Sequence, residues 1–148
     1  MFAQRLYALT AATLMVLSLG AYAAEPGPNV SAPEAFALIE SGKMTLIDIR
    51  RPEEWRQTGV ARDAKRINME HPEGLIAFLR QIALEVKGDA NAPIGLICRT
   101  GNRTTQIQKV MQEVGFTNVH NIKEGMVGSA AGPGWIARGL PVEPCPKC

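Results

Sequence analysis

The chain has 148 residues and a formal net charge of +2, with 46% hydrophobic and 20% charged residues. That balance is ordinary for a globular protein, and no basic block or aromatic-interleaved stripe marks a nucleic-acid surface. The length suits one domain with a single core.

In chain order, Arg5 precedes an apolar stretch from Leu6 to Leu19, and Ala21-Tyr22-Ala23 supplies a small-x-small site. This reads as a secretory signal peptide over residues 1–23, because the run is too short for a comfortable bilayer span of about 20 apolar residues. An uncleaved anchor is the lesser alternative. Cleavage after Ala23 leaves about 125 residues, near the usual domain size, with a periplasmic or secreted address and no remaining membrane segment. Residues 24–30, with Pro26, Gly27 and Pro28, read as a linker to a domain over residues 31–143.

Ser31-Ala32-Pro33-Glu34 is a capping box with an early proline, so a helix is predicted from there to about Ser41-Gly42. Thr45 to Ile49 reads as a short buried strand. Pro52 opens a second helix that carries Trp55 and ends near Gly59, and a brief strand is expected at Arg66-Ile67-Asn68. A longer helix starts at Pro72-Glu73, with Leu75, Phe78, Leu79, Ile82 and Val86 on one apolar face, and Gly88 ends it. Ile94 to Ile97 is an apolar strand. Ile107, Val110, Met111 and Val114 mark the next helix, stopped by Gly115, and Val119 to Ile122 is a last strand before a short helix at Trp135 to Arg138. Trp55 and Trp135 are expected in the core. Strands alternating with helices predict an α/β sandwich around a mostly parallel sheet with right-handed crossovers.

The chemistry concentrates at Cys98-Arg99-Thr100-Gly101-Asn102-Arg103, where an apolar strand delivers a cysteine into a basic turn at a helix start. Ligands collect outside the carboxyl ends of such strands. Peptide N–H groups at a helix N-terminus and nearby arginines favour a thiolate, and Gly101 lets successive amides turn inward as an anion nest. Cys98 is therefore the candidate nucleophile, with Arg99, Thr100, Gly101, Asn102 and Arg103 as the anion loop. A buried core cysteine, or one paired with the tail, is the plainer alternative; a loop of glycine and arginines is poor core material.

This loop resembles the active-site loop of single-domain members of the rhodanese (thiosulfate sulfurtransferase) family. Thr45-Leu46-Ile47-Asp48-Ile49-Arg50, followed by Pro52-Glu53-Glu54-Trp55, is similar to that family's strand ending in Asp-x-Arg with a Glu-aromatic pair after it. Gly115-Phe116-Thr117-Asn118-Val119 resembles its entry into the last strand. Asn121-Ile122-Lys123-Glu124-Gly125-Met126, Trp135 and Gly139-Leu140-Pro141-Val142 resemble its closing segment. The matches run in order over roughly residues 30 to 143. Two departures stand out. Gly59-Val60-Ala61-Arg62-Asp63-Ala64 replaces the family's Gly-His-Ile-x-Gly-Ala, and Gly128, Gly132, Pro133 and Gly134 lengthen the closing segment.

The resemblance implies a three-layer α/β/α sandwich with a mostly parallel five-stranded sheet. It implies a Cys98 persulfide that carries sulfur from a small anionic donor such as thiosulfate to cyanide or a thiol, with no metal or organic cofactor. Asp48 and Arg50 would then support the loop's surroundings rather than touch substrate. Two rival classes remain: a non-catalytic binding module of the same fold, and a cysteine-dependent phosphatase. The phosphatase signature places five residues between cysteine and arginine, whereas four separate Cys98 from Arg103.

Residues 144–148 form a tail with Cys145-Pro146-Lys147-Cys148. In an oxidising compartment the pair is expected as a local disulfide that leaves Cys98 free, and a role in relaying sulfur from Cys98 is the sharper alternative. Two cysteines make half of a tetrahedral zinc site, and His71 and His120 lack ligand spacing with them.

Overall fold

The computed structural model describes residues 28–148. The expected signal segment 1–23, and linker residues 24–27, lie outside the described residues. Among the described residues, four helices, α1 (Ala32–Glu40), α2 (Pro52–Thr58), α3 (Leu75–Glu85) and α4 (Asn102–Glu113), are interspersed with six short strands. These are β1 (Thr45–Asp48), β2 (Val60–Ala61), β3 (Lys65–Arg66), β4 (Ile94–Ile97), β5 (Val119–Asn121) and β6 (Val142–Glu143).

The central sheet has the order β3-β1-β4-β5, with every pairing parallel. Period-two alternation sorts its side chains into two layers. Ile47, Ile49, Leu96 and Cys98 join Phe78 and Ile82 of α3 and Ile107 and Met111 of α4. Leu46 and Ile97 join Ala32 and Ala35 of α1, together with Trp135. Helices thus cover both faces, as a buried parallel sheet requires. Trp55 and Trp135 are both buried, as expected.

The sheet is four strands wide rather than five. Backbone at 28–30, expected as linker, lies beside β5 instead: Val30 N donates to Asn121 O, and Asn121 N donates to Pro28 O, both at 3.0 Å. Pro28 has no N–H, so this edge closes after a single bridge at Asn29. β2 and β6 form a separate antiparallel pair.

The capping box of α1 is present: Glu34 N donates to Ser31 Oγ at 3.4 Å, and Ser31 N to Glu34 Oε2 at 3.0 Å. α3 begins at Leu75, with Gly74 as its cap, so Pro72-Glu73 precedes it. Leu75 and Val114, placed on apolar faces by their spacing, are 45% and 57% exposed, because each sits at a helix end beyond the sheet's cover. Trp135 to Arg138 forms a turn, not a helix. Among the described residues no helix is long and apolar enough to cross a membrane.

The segment that lacks the family's second glycine keeps a left-handed turn. Asp63 occupies that position with φ of 65°. A short polar side chain tolerates this region better than most. The lengthened closing segment folds on itself, with Ser129 and Gly132 bridged in both directions.

Candidate active site

β4 is buried along its whole length and ends at the level of Asp48, which places Cys98 at the carboxyl end of the sheet between β1 and β5. The chain then turns through Arg99, Thr100 and Gly101, and α4 starts at Asn102. Gly101 caps that helix with φ of +84°, a left-handed conformation. Its absent side chain matters twice, since a Cβ there would lie 2.0 Å from Lys123 O. Gly125 meets the loop just as closely, and a Cβ on it would fall 2.4 Å from Arg99 O. Met126 N donates to Cys98 O at 2.9 Å and Val127 N to Arg99 O at 3.1 Å. Segment 123–127 is therefore a backing strap that fixes the loop's path.

Within this frame Gly101 N donates to Cys98 Sγ at 3.2 Å. Thr104 Oγ1 stands 3.6 Å from the same sulfur and donates to Gly101 O at 3.0 Å. Among the described residues, Gly101 is the one amide hydrogen-bonded to the sulfur, so the expected nest is narrower than residues 99–103 suggested. Thr104 was not anticipated. Its place in the first turn of α4 tilts it back toward the loop, a signal available from helical spacing.

Cys98 is a free thiol and only 1% exposed. The reading of the cysteine loop as poor core material is corrected at Cys98, which lies in the core cluster. The cause is packing: residues of period two along β4 point toward α3 and α4, and Cys98 shares that direction with Ile94 and Leu96.

The two arginines diverge. Arg99 is exposed. Arg103 makes a bidentate pair with Glu54 of α2, at 2.7 and 2.6 Å. Burial pushes the Glu54 carboxyl up, but the Arg103 hydrogen bonds, the Arg51 amide and the charges of Arg103 and Arg50 outweigh it and hold the pKa at about 2. Arg103 is raised in turn, first by its hydrogen bonds to Glu54 against a cost of burial, then by the charges of Glu54, Cys98 and Asp48. The cation thus feels both the carboxylate and the sulfur. An open groove of about 520 Å³ runs beside the loop between Arg51, Glu53, Glu54, Glu70, Arg99 and Arg103. Thr100 is half-buried and Asn102 exposed at the rim of the loop.

Asp48 and Arg50 form a buried ion pair at the end of β1. Arg50 is 1% exposed and grips Asp48 through Nε and Nη2, at 3.0 and 2.7 Å. Its remaining donors reach the end of α2: Thr58 Oγ1 at 2.7 Å, Gly59 O at 2.8 Å and Glu54 O at 3.3 Å. One relay of contacts therefore runs from β1 through Arg50 to α2, and from Glu54 to Arg103 in the loop. Glu54 appeared in the sequence only as part of a motif, and its pairing across the fold was not legible there.

Cys145 and Cys148 are joined to each other, with Cα atoms 5.4 Å apart, and leave Cys98 unbridged.

With this geometry in place, comparison with known proteins is decisive at the family level. The model of the rhodanese-like domain matches residues 31–131. The chain belongs to the rhodanese family. Thiosulfate sulfurtransferase GlpE of Actinobacillus pleuropneumoniae is 27% identical over 123 residues, covering 78% of this chain and 92% of that protein. An uncharacterized protein of Rickettsia conorii is 26% identical, covering 76% and 94%. Among solved structures, a crystal structure of a protein from M. tuberculosis superposes with a TM-score of 0.62 at 25% identity, covering 82% and 100%. The solution structure of a polysulfide-sulfur transferase homodimer from Wolinella succinogenes gives 0.57 at 26% identity, covering 78% and 77%. The fold is rhodanese-like, and its relatives include sulfurtransferases.

Proposed function

We propose that the protein is a sulfurtransferase that carries sulfane sulfur as a persulfide on Cys98. The observation that carries this reading is the Gly101 amide donating to a free Cys98 sulfur at the start of α4. The amide, the helix terminus and Arg103 stabilise negative charge on that sulfur, and equally on the terminal sulfur of a persulfide.

With thiosulfate as donor, the Cys98 thiolate attacks the sulfane sulfur. A new S–S bond forms, the donor's S–S bond breaks, and its electron pair leaves with sulfite. Cyanide then attacks the outer sulfur and departs as thiocyanate, restoring the thiolate; a thiol acceptor would leave as its own persulfide. Arg99 lines the groove beside the loop and suits an anionic donor. Arg103 offers the second positive charge. A donor that reaches it competes with Glu54, and this exchange opens the way to the buried sulfur. Asp48 and Arg50 position α2 and the loop. The GlpE and Wolinella relatives support the substrate class, and the same proposal includes export to the periplasm or medium, where a small donor and a thiol or cyanide acceptor would be met.

One observation favours a second reading, a non-catalytic module of the same fold: the sulfur is sealed from solvent in this structure. Intact-mass measurement after incubation with thiosulfate separates the two. The wild type is expected to gain one sulfur that cyanide removes, and Cys98→Ser is expected to gain none. A wild-type mass that never changes would leave the binding module as the better account.

A further inference from the structure

The tail cysteines take no part in the mechanism above. After β6 the chain passes Pro144 and closes the Cys145–Cys148 disulfide against two arginines from the folded domain. Arg66 of β3 lies against both sulfurs through Nη1. Arg56 of α2 donates from Nη1 to Cys148 O at 2.5 Å, which holds the loop in place.

The bridge has little structural work to do. Its cysteines are three apart in sequence, and the residues it encloses, Pro146 and Lys147, are exposed. A cross-link constrains the unfolded chain more the longer the loop it closes, and this one ties the tail only to itself. Nor does a bridged pair of sulfurs need a guanidinium. Neither carries charge, so Arg66 gains an ionic partner only when the bond opens and one sulfur becomes a thiolate. Cys145 is half-buried and also lines two open cavities, of about 550 and 280 Å³, which give a nucleophile in solvent a route toward it.

We propose that Cys145–Cys148 is a thiol–disulfide exchange site, reduced by a dithiol, with Arg66 receiving the leaving thiolate. A thiolate of the dithiol attacks Cys145 Sγ. The S–S bond breaks and its electron pair leaves on Cys148 Sγ beside Arg66. The second thiolate of the reductant then attacks its own sulfur in the mixed disulfide and frees Cys145. The dithiol ends as a disulfide, oxidised by two electrons; the tail pair gains those electrons and the two protons. Other charges facing the pair are Arg56, Lys147 within the loop, and Asp63, Lys65 and Glu143 along the larger cavity. The cations outnumber the two carboxylates, and the cations favour the opened form.

The test uses the full chain carrying Cys98→Ser, so that only the tail sulfurs are counted and sulfur transfer plays no part in the readout. The protein is equilibrated with mixtures of reduced and oxidised dithiothreitol, free thiols are alkylated, and the reduced fraction is read by mass. Replacing Arg66 by Gln is expected to shift the equilibrium toward the disulfide by about tenfold and to slow reduction by a similar factor, while Arg66→Lys retains most of both. Melting curves of the Arg66 variants check that the fold is intact. Equal midpoints and equal rates for the parent protein and Arg66→Gln would overturn the proposal, and so would a pair that dithiothreitol leaves oxidised in the folded protein.

Discussion

At residue scale, the backbone at Gly101 carries much of the loop's geometry. Gly101 is left-handed and lies against the Lys123 carbonyl, so Gly101→Ala both strains φ and forces the strap away. The two costs together are expected to reach about 3 kcal/mol or more, read from the midpoint of denaturant unfolding. A change under about 0.5 kcal/mol, the usual range for a surface substitution, would contradict this packing. Asp63 is the converse case, a side chain placed where glycine would be at ease. At a φ of 65°, Asp63→Val is expected to cost about 1–2 kcal/mol, whereas Asp63→Gly is neutral or stabilising. If both variants melt together, the left-handed turn is not formed in solution.

At the scale of elements, α2 links the β1 ion pair to the cysteine loop. Glu54 is its outward contact, and its carboxyl is held at about 2 against an ordinary 4.5. Because the folded value is the lower one, the stabilisation is present above about pH 4.5 and drains away as pH falls toward 2. Glu54→Gln removes this pair, and the melting temperature of the variant should fall less steeply than that of the wild type over the same window. The same substitution frees Arg103 beside the sulfur. If an anionic donor does compete with Glu54, the KM for thiosulfate is expected to drop about threefold or more in the variant, a charge-assisted contact having been released for the donor. An unchanged or higher KM would show that Arg103 binds no donor.

At the scale of the whole molecule, Glu124 joins segments that no local rule would bring together. It is 2% exposed and accepts from Ala32 N at 2.7 Å, from Gly134 N at 2.9 Å and from Arg138 Nε at 2.7 Å. Burial opposes the charge, yet these donors and the Arg138 cation keep the carboxyl below its usual range. The start of α1 is thereby fastened to the closing segment, above the apolar layer where Trp135 meets Phe36 edge-on at 5.9 Å. Glu124→Ala leaves buried amides and a cation without their acceptor, and is expected to cost about 3 kcal/mol in chemical denaturation. A loss well below 1 kcal/mol would mean that water replaces the carboxylate freely.

Features that depend on near neighbours were legible in the sequence. The capping box at Ser31, the apolar run of β4, the helix face at Ile107 and Met111, and the cysteine-glycine-arginine turn all follow from spacings of a few residues, where backbone geometry leaves few choices. Pairing of Cys145 with Cys148 belongs to the same class, since only two residues separate them. Tertiary structure decided what depends on distant segments. Glu54 meets Arg103 across 49 residues and Ala32 meets Glu124 across 92, contacts created by the order of strands in the sheet. The burial of Cys98, the width of the sheet and the exposure of Leu75 were settled in the same way. Each turns on which surfaces the finished sheet and helices cover, a quantity that local spacing does not contain.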